Sequence, residues 1–213
     1  MQKTKLKGIY AITPSGLKKK ILLRKITELL KVGIKVLQFR DKERDFSEKL
    51  IVAKQISRIC ERFKCTFIIN DDPLLAKEVD ADGVHLGQED RSYEEARNVL
   101  GPDSIIGISC QNNLDFALKA EAQGADYIAF GSVFNTKTKN KIVKSSVNEI
   151  ESLISQINIP TVAIGGINLS NINQLSSTHA DMIAISSGLF DEESSSDTAS
   201  AFIGRLRELN LFF

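Results

Sequence analysis

Short apolar runs recur roughly every 20 to 30 residues along the chain and alternate with amphipathic segments. Eight runs rich in β-branched or aromatic residues predict strands over residues 8–13, 34–39, 66–70, 83–87, 104–109, 127–132, 161–165 and 182–186. Between them, segments such as 21–32 and 46–63 carry apolar residues at three- and four-residue steps, which is the helical period. Because the strands read as continuous apolar runs, they are typical of a parallel sheet covered on both faces.

This repetition predicts the fold class. Eight strand–helix units in succession predict parallel strands with right-handed crossovers, and therefore an α/β fold: a single (β/α)8 TIM barrel over residues 1–213 as one domain. An open doubly wound sheet is the alternative. The barrel is favoured because no G-x-G-x-x-G follows the first strand and no G-x-x-x-x-G-K-[ST] occurs. The long connection 132–145 has no apolar period, which indicates a functional or disordered loop.

Composition narrows the classes of partner. The 28 basic and 27 acidic residues leave a net charge of +1, which argues against a nucleic-acid or anionic membrane partner. No apolar run of about 18 residues predicts a membrane span. Cys60, Cys65 and Cys110 are odd in number and lack metal-ligand spacing, so we expect free thiols in the reducing cytoplasm. The sequence leaves open whether the chain forms a homo-oligomer.

Two loops of small residues follow the last two predicted strands. They are Gly165-Gly166 and Ser186-Ser187-Gly188. Glycine lacks the Cβ that would hold an oxyanion off, and a helix N-terminus just beyond adds a favourable dipole. Because the loops after strands 7 and 8 of a (β/α)8 barrel commonly bind phosphate, we expect Gly166, Ser186 and Ser187 to bind a phosphate group.

Charged and amide side chains follow the other strands. They are Gln38, Arg40 and Lys42 after the second strand, Asn70, Asp71 and Asp72 after the third, Gln88, Glu89 and Asp90 after the fourth, Ser109 at the end of the fifth, and Thr136, Thr138 and Lys139 after the sixth. In a barrel these strand ends meet at one rim.

The residue types at this rim indicate charge handling. Asp71 and Asp90 would repel each other alone, whereas one Mg²⁺ ion takes one or two carboxylates, waters and phosphate oxygens. Arg40, Lys42 and Lys139 are expected to bind a di- or polyphosphate. The structural alternative is that Asp71 caps a helix and that Arg40 pairs with Asp41 or Asp90.

Two further residues have structural expectations. We expect Asp72 to cap the helix that Pro73 begins, and His85 to line the barrel rather than act as a base. With two histidines in the chain, no Ser-His-Asp or Cys-His nucleophile arrangement can be assembled.

Seven segments taken in order resemble the thiamine-phosphate synthase family. They are QFRDK (38–42), FIINDD (67–72), ADGVHLGQED (81–90), GIS (107–109), GADYIAFGSVFNTKTK (124–139), VAIGGI (162–167) and ISSGLF (185–190). The resemblance extends from about Gly8 to about Leu206. It implies a (β/α)8 barrel of thiamine biosynthesis that uses Mg²⁺ to join a hydroxymethylpyrimidine diphosphate to a thiazole phosphate, releasing pyrophosphate.

The resemblance also implies roles for residues that match its motifs. Gln38, Phe39, Arg40, Asp41, Lys42 and Asn70 would bind the pyrimidine diphosphate, and Asp71 and Asp90 would hold one Mg²⁺. Ser109 and Lys139, with Arg40, would be the catalytic residues that contact the diphosphate or the developing cation. Thr136, Lys137, Thr138, Gly166, Ser186 and Ser187 would bind the thiazole phosphate. In the family the C–O bond largely breaks before the thiazole nitrogen attacks, so no side-chain nucleophile is needed.

Departures from the family pattern keep alternatives open. Cys110-Gln111 stands where the family usually has a Thr-His or similar pair, and segment 140–147 lacks the expected proline and Gln-Gly turn. A thiazole tautomerase of the same fold would carry a histidine at the position of Gln111 and lack the carboxylate set. A barrel that binds thiazole or thiamine phosphates without catalysis is a second alternative, and a sugar-phosphate isomerase barrel is a third.

Overall fold

A closed barrel of eight parallel strands in chain order is the centre of the computed structural model, which describes residues 6–135, 146–191, 193–209 and 211. The strands are β1 (Gly8–Ile12), β2 (Val36–Phe39), β3 (Thr66–Asn70), β4 (Gly83–Leu86), β5 (Ile105–Gln111), β6 (Tyr127–Phe130), β7 (Thr161–Ile164) and β8 (Met182–Ile185). Pairing of β1 with β8 closes the barrel and confirms the predicted fold class. Strand ends differ from the prediction by up to two residues: β2 begins at Val36, β6 ends at Phe130, and β5 continues past Ser109 to Gln111, with a register shift against β6 between these last two residues.

Helices cover the outside of the barrel. They are α1 (Lys19–Lys31), α2 (Phe46–Phe63), α3 (Pro73–Glu78), α4 (Tyr93–Leu100), α5 (Leu114–Gln123), α6 (Val147–Ile154), α7 (Ser187–Phe190) and α8 (Ser195–Glu208). The Asp72 side chain accepts the N–H groups of Leu74 and Leu75, each at 3.0 Å, and Pro73 is the first helical residue of α3. The prediction that Asp72 is an N-cap is therefore confirmed.

The seventh crossover departs from the predicted strand–helix repeat. The connection after β7 contains a 3-10 helix, Ile172–Leu175, and no α-helix before β8. Asparagine and serine are frequent in residues 167–178, and their side chains compete for backbone hydrogen bonds. A short 3-10 turn is the result.

An Ala-Asp pair directly precedes β4, β6 and β8 and fixes strand register at the amino-terminal end of the barrel. In each case the aspartate side chain accepts a backbone N–H of the preceding strand. The bonds join Phe67 to Asp82 at 2.7 Å, Ile106 to Asp126 at 2.9 Å and Thr161 to Asp181 at 3.0 Å. This repeated motif, which the sequence pattern contains but the strand predictions did not use, supports the barrel at the end opposite the candidate site.

Two apolar layers make up the core. The larger lies between the sheet and the helices, and the smaller fills the barrel, where Tyr10, Ile68 and Met182 are fully buried. Gly107 makes room for the ring of Tyr127, because a Cβ there would lie 1.9 Å from Tyr127 Cζ. None of the helices in the described ranges combines the length and apolar character that crossing a bilayer needs.

Candidate active site

The loop after β1 holds the loop after β2 in place at the carboxyl-terminal rim. The Thr13 side chain, fully buried, accepts the backbone N–H of Arg40 at 2.9 Å and donates to its carbonyl at 3.0 Å. The Ser15 hydroxyl accepts the backbone N–H of Lys42 at 3.0 Å. Sequence reasoning missed both residues. Their hydrogen bonds fix the backbone of Arg40 and Lys42, the two cationic residues expected to bind a diphosphate.

Neighbouring residues of β2 point to opposite sides of the sheet. Gln38 faces the barrel interior, where its Nε2 donates to the Tyr10 hydroxyl, while the Phe39 side chain packs in the layer between sheet and helices. The Phe39 side chain therefore cannot face the mouth, and only its backbone can contact a ligand there. The alternation of side chains along a strand is the signal that separates the two.

The Asp41 carboxylate is occupied by its own loop. One oxygen accepts the backbone N–H groups of Glu43 and Arg44, both at 3.0 Å, and the other contacts the Arg44 guanidinium. Burial tends to raise the pKa of Asp41, but these hydrogen bonds and the Arg44 charge outweigh it and hold the pKa below its ordinary value. The sequence left open an ion pair between Arg40 and Asp41. In the structure Asp41 pairs with Arg44 instead.

Asp71 and Asp90 come together from neighbouring strand ends, with Lys42 beside them. The Asp71 and Asp90 carboxyl groups are close enough to shift each other's pKa, and the Lys42 ammonium contacts Asp71. The Asp71 backbone lies in the left-handed region at φ 64°, with its N–H donated to the His85 carbonyl at 2.8 Å. Such a conformation is uncommon outside glycine and is found where surroundings fix a functional residue. Gly87 donates its N–H to Asp90 at 2.7 Å.

The electrostatics of this pair differ between its two members. Burial is the largest influence on Asp71 and acts to raise its pKa, but the Lys42 hydrogen bond and charge, with the contact to Asp90, together outweigh it, and the pKa lies below its ordinary value. For Asp90, partial burial and the Asp71 carboxylate both raise the pKa. One carboxylate is thus favoured in its charged form and the other retains a proton more readily, as expected for two acids that share one site.

This donor set fits a magnesium ion. Among the described residues no group of three or more His, Cys, Asp or Glu side chains is close enough to hold a metal by itself. A typical Mg²⁺ site nevertheless takes only one or two carboxylates from the protein. Its remaining oxygen ligands come from water and substrate phosphates. A divalent cation would remove the repulsion that raises the pKa of Asp90.

The floor of the mouth is polar and hydrogen-bonded. Ser109 shares the face of β5 with Gly107, two residues earlier, and its carbonyl accepts the Gln88 side-chain amide at 2.7 Å. Below it, the His85 Nδ1 lies 3.0 Å from the Tyr127 hydroxyl, and the two rings stack. The structure confirms that His85 lines the barrel, whereas the tyrosines were not among the predicted residues.

The two small-residue loops after β7 and β8 lie against each other and against the loop after β6. A Cβ on Gly188 would lie 3.0 Å from the Ile167 carbonyl, and one on Gly166 would lie 2.3 Å from the Asn135 carbonyl. Gly166 has φ 65°, so both its backbone and its surroundings require glycine. Ser186 precedes α7 and Ser187 is its first residue. Backbone atoms of Phe134 and Asn135 occupy the space beside Gly166, so the loop after β6 packs against this loop.

Part of the expected site lies outside the described residues: Thr136, Lys137, Thr138 and Lys139. The others that were placed at the rim from the sequence are described, and the structure brings Gln38, Arg40, Lys42, Asn70, Asp71, Asp90 and Ser109 to the carboxyl-terminal end of β2 to β5.

Known proteins resemble the chain over nearly its full length. A family described as thiamine monophosphate synthase matches residues 9–189. A thiamine-phosphate synthase of Thioalkalivibrio sulfidiphilus is 42% identical over 187 residues, which are 87% of this chain and 89% of that protein. One of Nitrosococcus oceani is 38% identical over 97% of this chain and 95% of its own. The solved structure of a thiamine phosphate pyrophosphorylase from Pyrococcus furiosus superimposes with a TM-score of 0.84 at 31% identity, over 96% of this chain and 97% of that one.

Proposed function

The chain belongs to the thiamine monophosphate synthase family, and from this membership we propose that it is a thiamine-phosphate synthase. It condenses 4-amino-2-methyl-5-(diphosphooxymethyl)pyrimidine with thiazole phosphate and forms thiamine phosphate and pyrophosphate. The observation that carries the proposal within the structure is the Asp71–Asp90 carboxylate pair with Lys42 at the same rim, a charge arrangement suited to a diphosphate.

Asp71 and Asp90 are the residues we propose for one Mg²⁺ ion. Bound there, the ion would stabilise the negative charge of the departing diphosphate. Lys42, which neutralises Asp71 in the structure, and Arg40, whose backbone Thr13 holds, supply further positive charge from the β2 side. Lys139 is proposed for the opposite side on the sequence motif alone. Removing one such contact typically lowers a rate by about 10²–10³-fold.

The chemistry we propose needs no side-chain nucleophile. The C–O bond to the diphosphate breaks as charge develops on the leaving group, and the thiazole nitrogen forms the new bond to the pyrimidine methylene carbon. The protein residues stabilise charge and align the two substrates. Ser109, two residues before the end of β5, is proposed to contact the diphosphate, and Asn70 and Gln38 to orient the pyrimidine from the strand ends near which they lie.

The acceptor is proposed to bind at the other side of the mouth. Gly166, Ser186 and Ser187 follow β7 and β8, the usual phosphate position in this fold, and Thr136, Lys137 and Thr138 are added from the family motif. A thiazole tautomerase is disfavoured, because Gln111 stands at the histidine position and both carboxylates of the proposed metal site are present.

The proposed setting is the cytoplasm. Cys60, Cys65 and Cys110 are free and buried, which supports a reducing compartment.

Product formation by a pair of matched variants tests this function. Purified protein with both substrates and Mg²⁺ should form thiamine phosphate, and Asp90→Asn should lower the rate by about a hundredfold or more. Glu89→Gln is the control, because it removes a neighbouring exposed carboxylate and should leave the rate within about twofold. Equal loss in both variants, or none in Asp90→Asn with the fold intact, would refute the metal assignment.

A further inference from the structure

Four polar side chains form a continuous hydrogen-bond chain across the barrel interior, below the mouth. Gln38 Nε2 donates to the Tyr10 hydroxyl at 2.8 Å, the Tyr10 and Tyr127 hydroxyls are 2.8 Å apart, and Tyr127 is 3.0 Å from His85 Nδ1. The four residues come from β2, β1, β6 and β4, so the chain connects opposite sides of the barrel. We call it the tyrosine relay.

The relay is isolated from solvent. Tyr10 is 1% and Tyr127 0% exposed, and Gln38 and His85 are also buried. Gly107 leaves the space that the Tyr127 ring occupies, since a Cβ there would lie 1.9 Å from the ring. Burial raises the pKa of both tyrosine hydroxyls above the ordinary value, so both keep their protons.

The orientation of the Gln38 amide fixes the direction of the relay. Each tyrosine hydroxyl has a single proton to donate, and within the described residues neither hydroxyl has a hydrogen-bond partner outside the relay. With the Gln38 amide nitrogen donating to Tyr10, Tyr10 must donate to Tyr127, and Tyr127 must donate to His85 Nδ1. Neutral His85 then carries its proton on Nε2.

A reversed relay is the other fully bonded state. If the Gln38 amide were turned, its oxygen would accept from Tyr10, Tyr10 would accept from Tyr127, and His85 Nδ1 would carry the proton. Any mixed state places two protons or two lone pairs against each other in a buried site, which is costly. The orientation of Gln38 and the tautomer of His85 are therefore linked through two residues that do not reach the rim.

We propose that Tyr10 and Tyr127 are positioning residues that link the Gln38 amide to the His85 tautomer, and so set the donor and acceptor pattern at the floor of the pyrimidine site. The linkage itself follows from the geometry, and its role in recognition rests on the proposed function. An aminopyrimidine presents ring-nitrogen acceptors beside an amino donor. A glutamine held in one orientation distinguishes that edge from its reverse, because a mismatched amide leaves buried polar groups unpaired.

Nitrogen NMR of the free protein tests the linkage without any substrate. The chain has two histidines, and His179→Asn removes the other signal at an exposed position with φ 54°, a conformation that asparagine tolerates. We expect ¹⁵N shifts of His85 for one tautomer, protonated on Nε2. In Tyr10→Phe the fixed direction is lost, and a second population protonated on Nδ1 should appear. A mixture of both His85 tautomers in the unmodified relay, or an unchanged His85 in folded Tyr10→Phe, would overturn the linkage.

Kinetics of the same variants test its role in recognition. Tyr10→Phe should raise KM for the pyrimidine diphosphate by about five- to tenfold, the effect of one lost neutral hydrogen bond, with KM for thiazole phosphate unchanged. The matched control is Tyr93→Phe, which removes the chain's third tyrosine hydroxyl from its bond to Gly124 on the outer surface. An altered tautomer with an unchanged pyrimidine KM would refute the recognition role. Absence of turnover in the unmodified protein would refute the proposed function and leave the NMR result standing.

Discussion

Replacing Thr13 by valine tests whether the loop after β1 positions the cationic loop after β2. The two side chains have nearly the same shape, but valine can neither accept the Arg40 N–H nor donate to its carbonyl, bonds of 2.9 and 3.0 Å. At about 1 kcal/mol for each lost bond, the free energy of unfolding should fall by about 2 kcal/mol. For a chain of this size that lowers Tm by about 4–8 °C.

The functional effect of Thr13→Val should exceed its effect on stability. Freed from its anchor, the Arg40 backbone can shift, and a displacement of about 1 Å at a positioned group can cost about a hundredfold in rate. We therefore expect kcat/KM for the pyrimidine diphosphate to fall by about 10- to 100-fold, measured by steady-state kinetics below the melting transition. KM for thiazole phosphate should stay constant, because Arg40 lies in the loop after β2 and not beside β7.

Thr13→Ser is the matched control for this prediction. It keeps the hydroxyl and loses one buried methyl group, so it should lose about 1 kcal/mol of stability and retain kcat/KM within about threefold. If Thr13→Val retained the kcat/KM of the serine variant, Thr13 would be a core residue only, and the positioning argument would be wrong.

Three further predictions concern the carboxylates, the glycine loop and the strand register. Mg²⁺ affinity should weaken about tenfold per pH unit below the raised pKa of Asp90, because protons then compete with the ion; calorimetry showing no proton release would contradict this. Gly166→Ala, with its Cβ 2.3 Å from the Asn135 carbonyl, should weaken thiazole phosphate binding, whereas Gly204→Ala in open helical space should raise Tm slightly. Asp126 accepts the Ile106 N–H at the end of the barrel opposite the site, so Asp126→Ala should lower the free energy of unfolding in urea by about 2 kcal/mol and keep its activity. A decrease under about 0.5 kcal/mol would contradict this role in strand register.

Most of the barrel was predictable because its signals are local. The apolar runs gave the positions of all eight strands, and Asp72-Pro73 gave a helix start. The seventh crossover was not predicted, since asparagine and serine side chains decide its conformation through backbone hydrogen bonds rather than by apolar period. The Ala-Asp repeat before β4, β6 and β8 was visible in the sequence, but its meaning depends on hydrogen bonds to strands 15 to 20 residues earlier.

The candidate site was predictable only where residue type indicates chemistry. Asp71 and Asp90 were grouped because strand ends of a barrel converge, and the structure brings their carboxyl groups together. The roles of Thr13 and Tyr127 depend instead on contacts between residues far apart in sequence, with ordinary residue types and no motif. Strand alternation separates the Phe39 side chain, which packs in the core, from Gln38, so the binding prediction for Phe39 stays one for its backbone.

The stoichiometry of products tests the central claim most directly, namely that one rim brings a diphosphate donor and a phosphate acceptor together. Purified protein, both substrates and Mg²⁺ should give thiamine phosphate and pyrophosphate in a ratio of one to one, quantified together by chromatography and an enzymatic pyrophosphate assay. Chelation of Mg²⁺ should stop both. Bound substrates without thiamine phosphate, or pyrophosphate released without a matching product, would contradict the account.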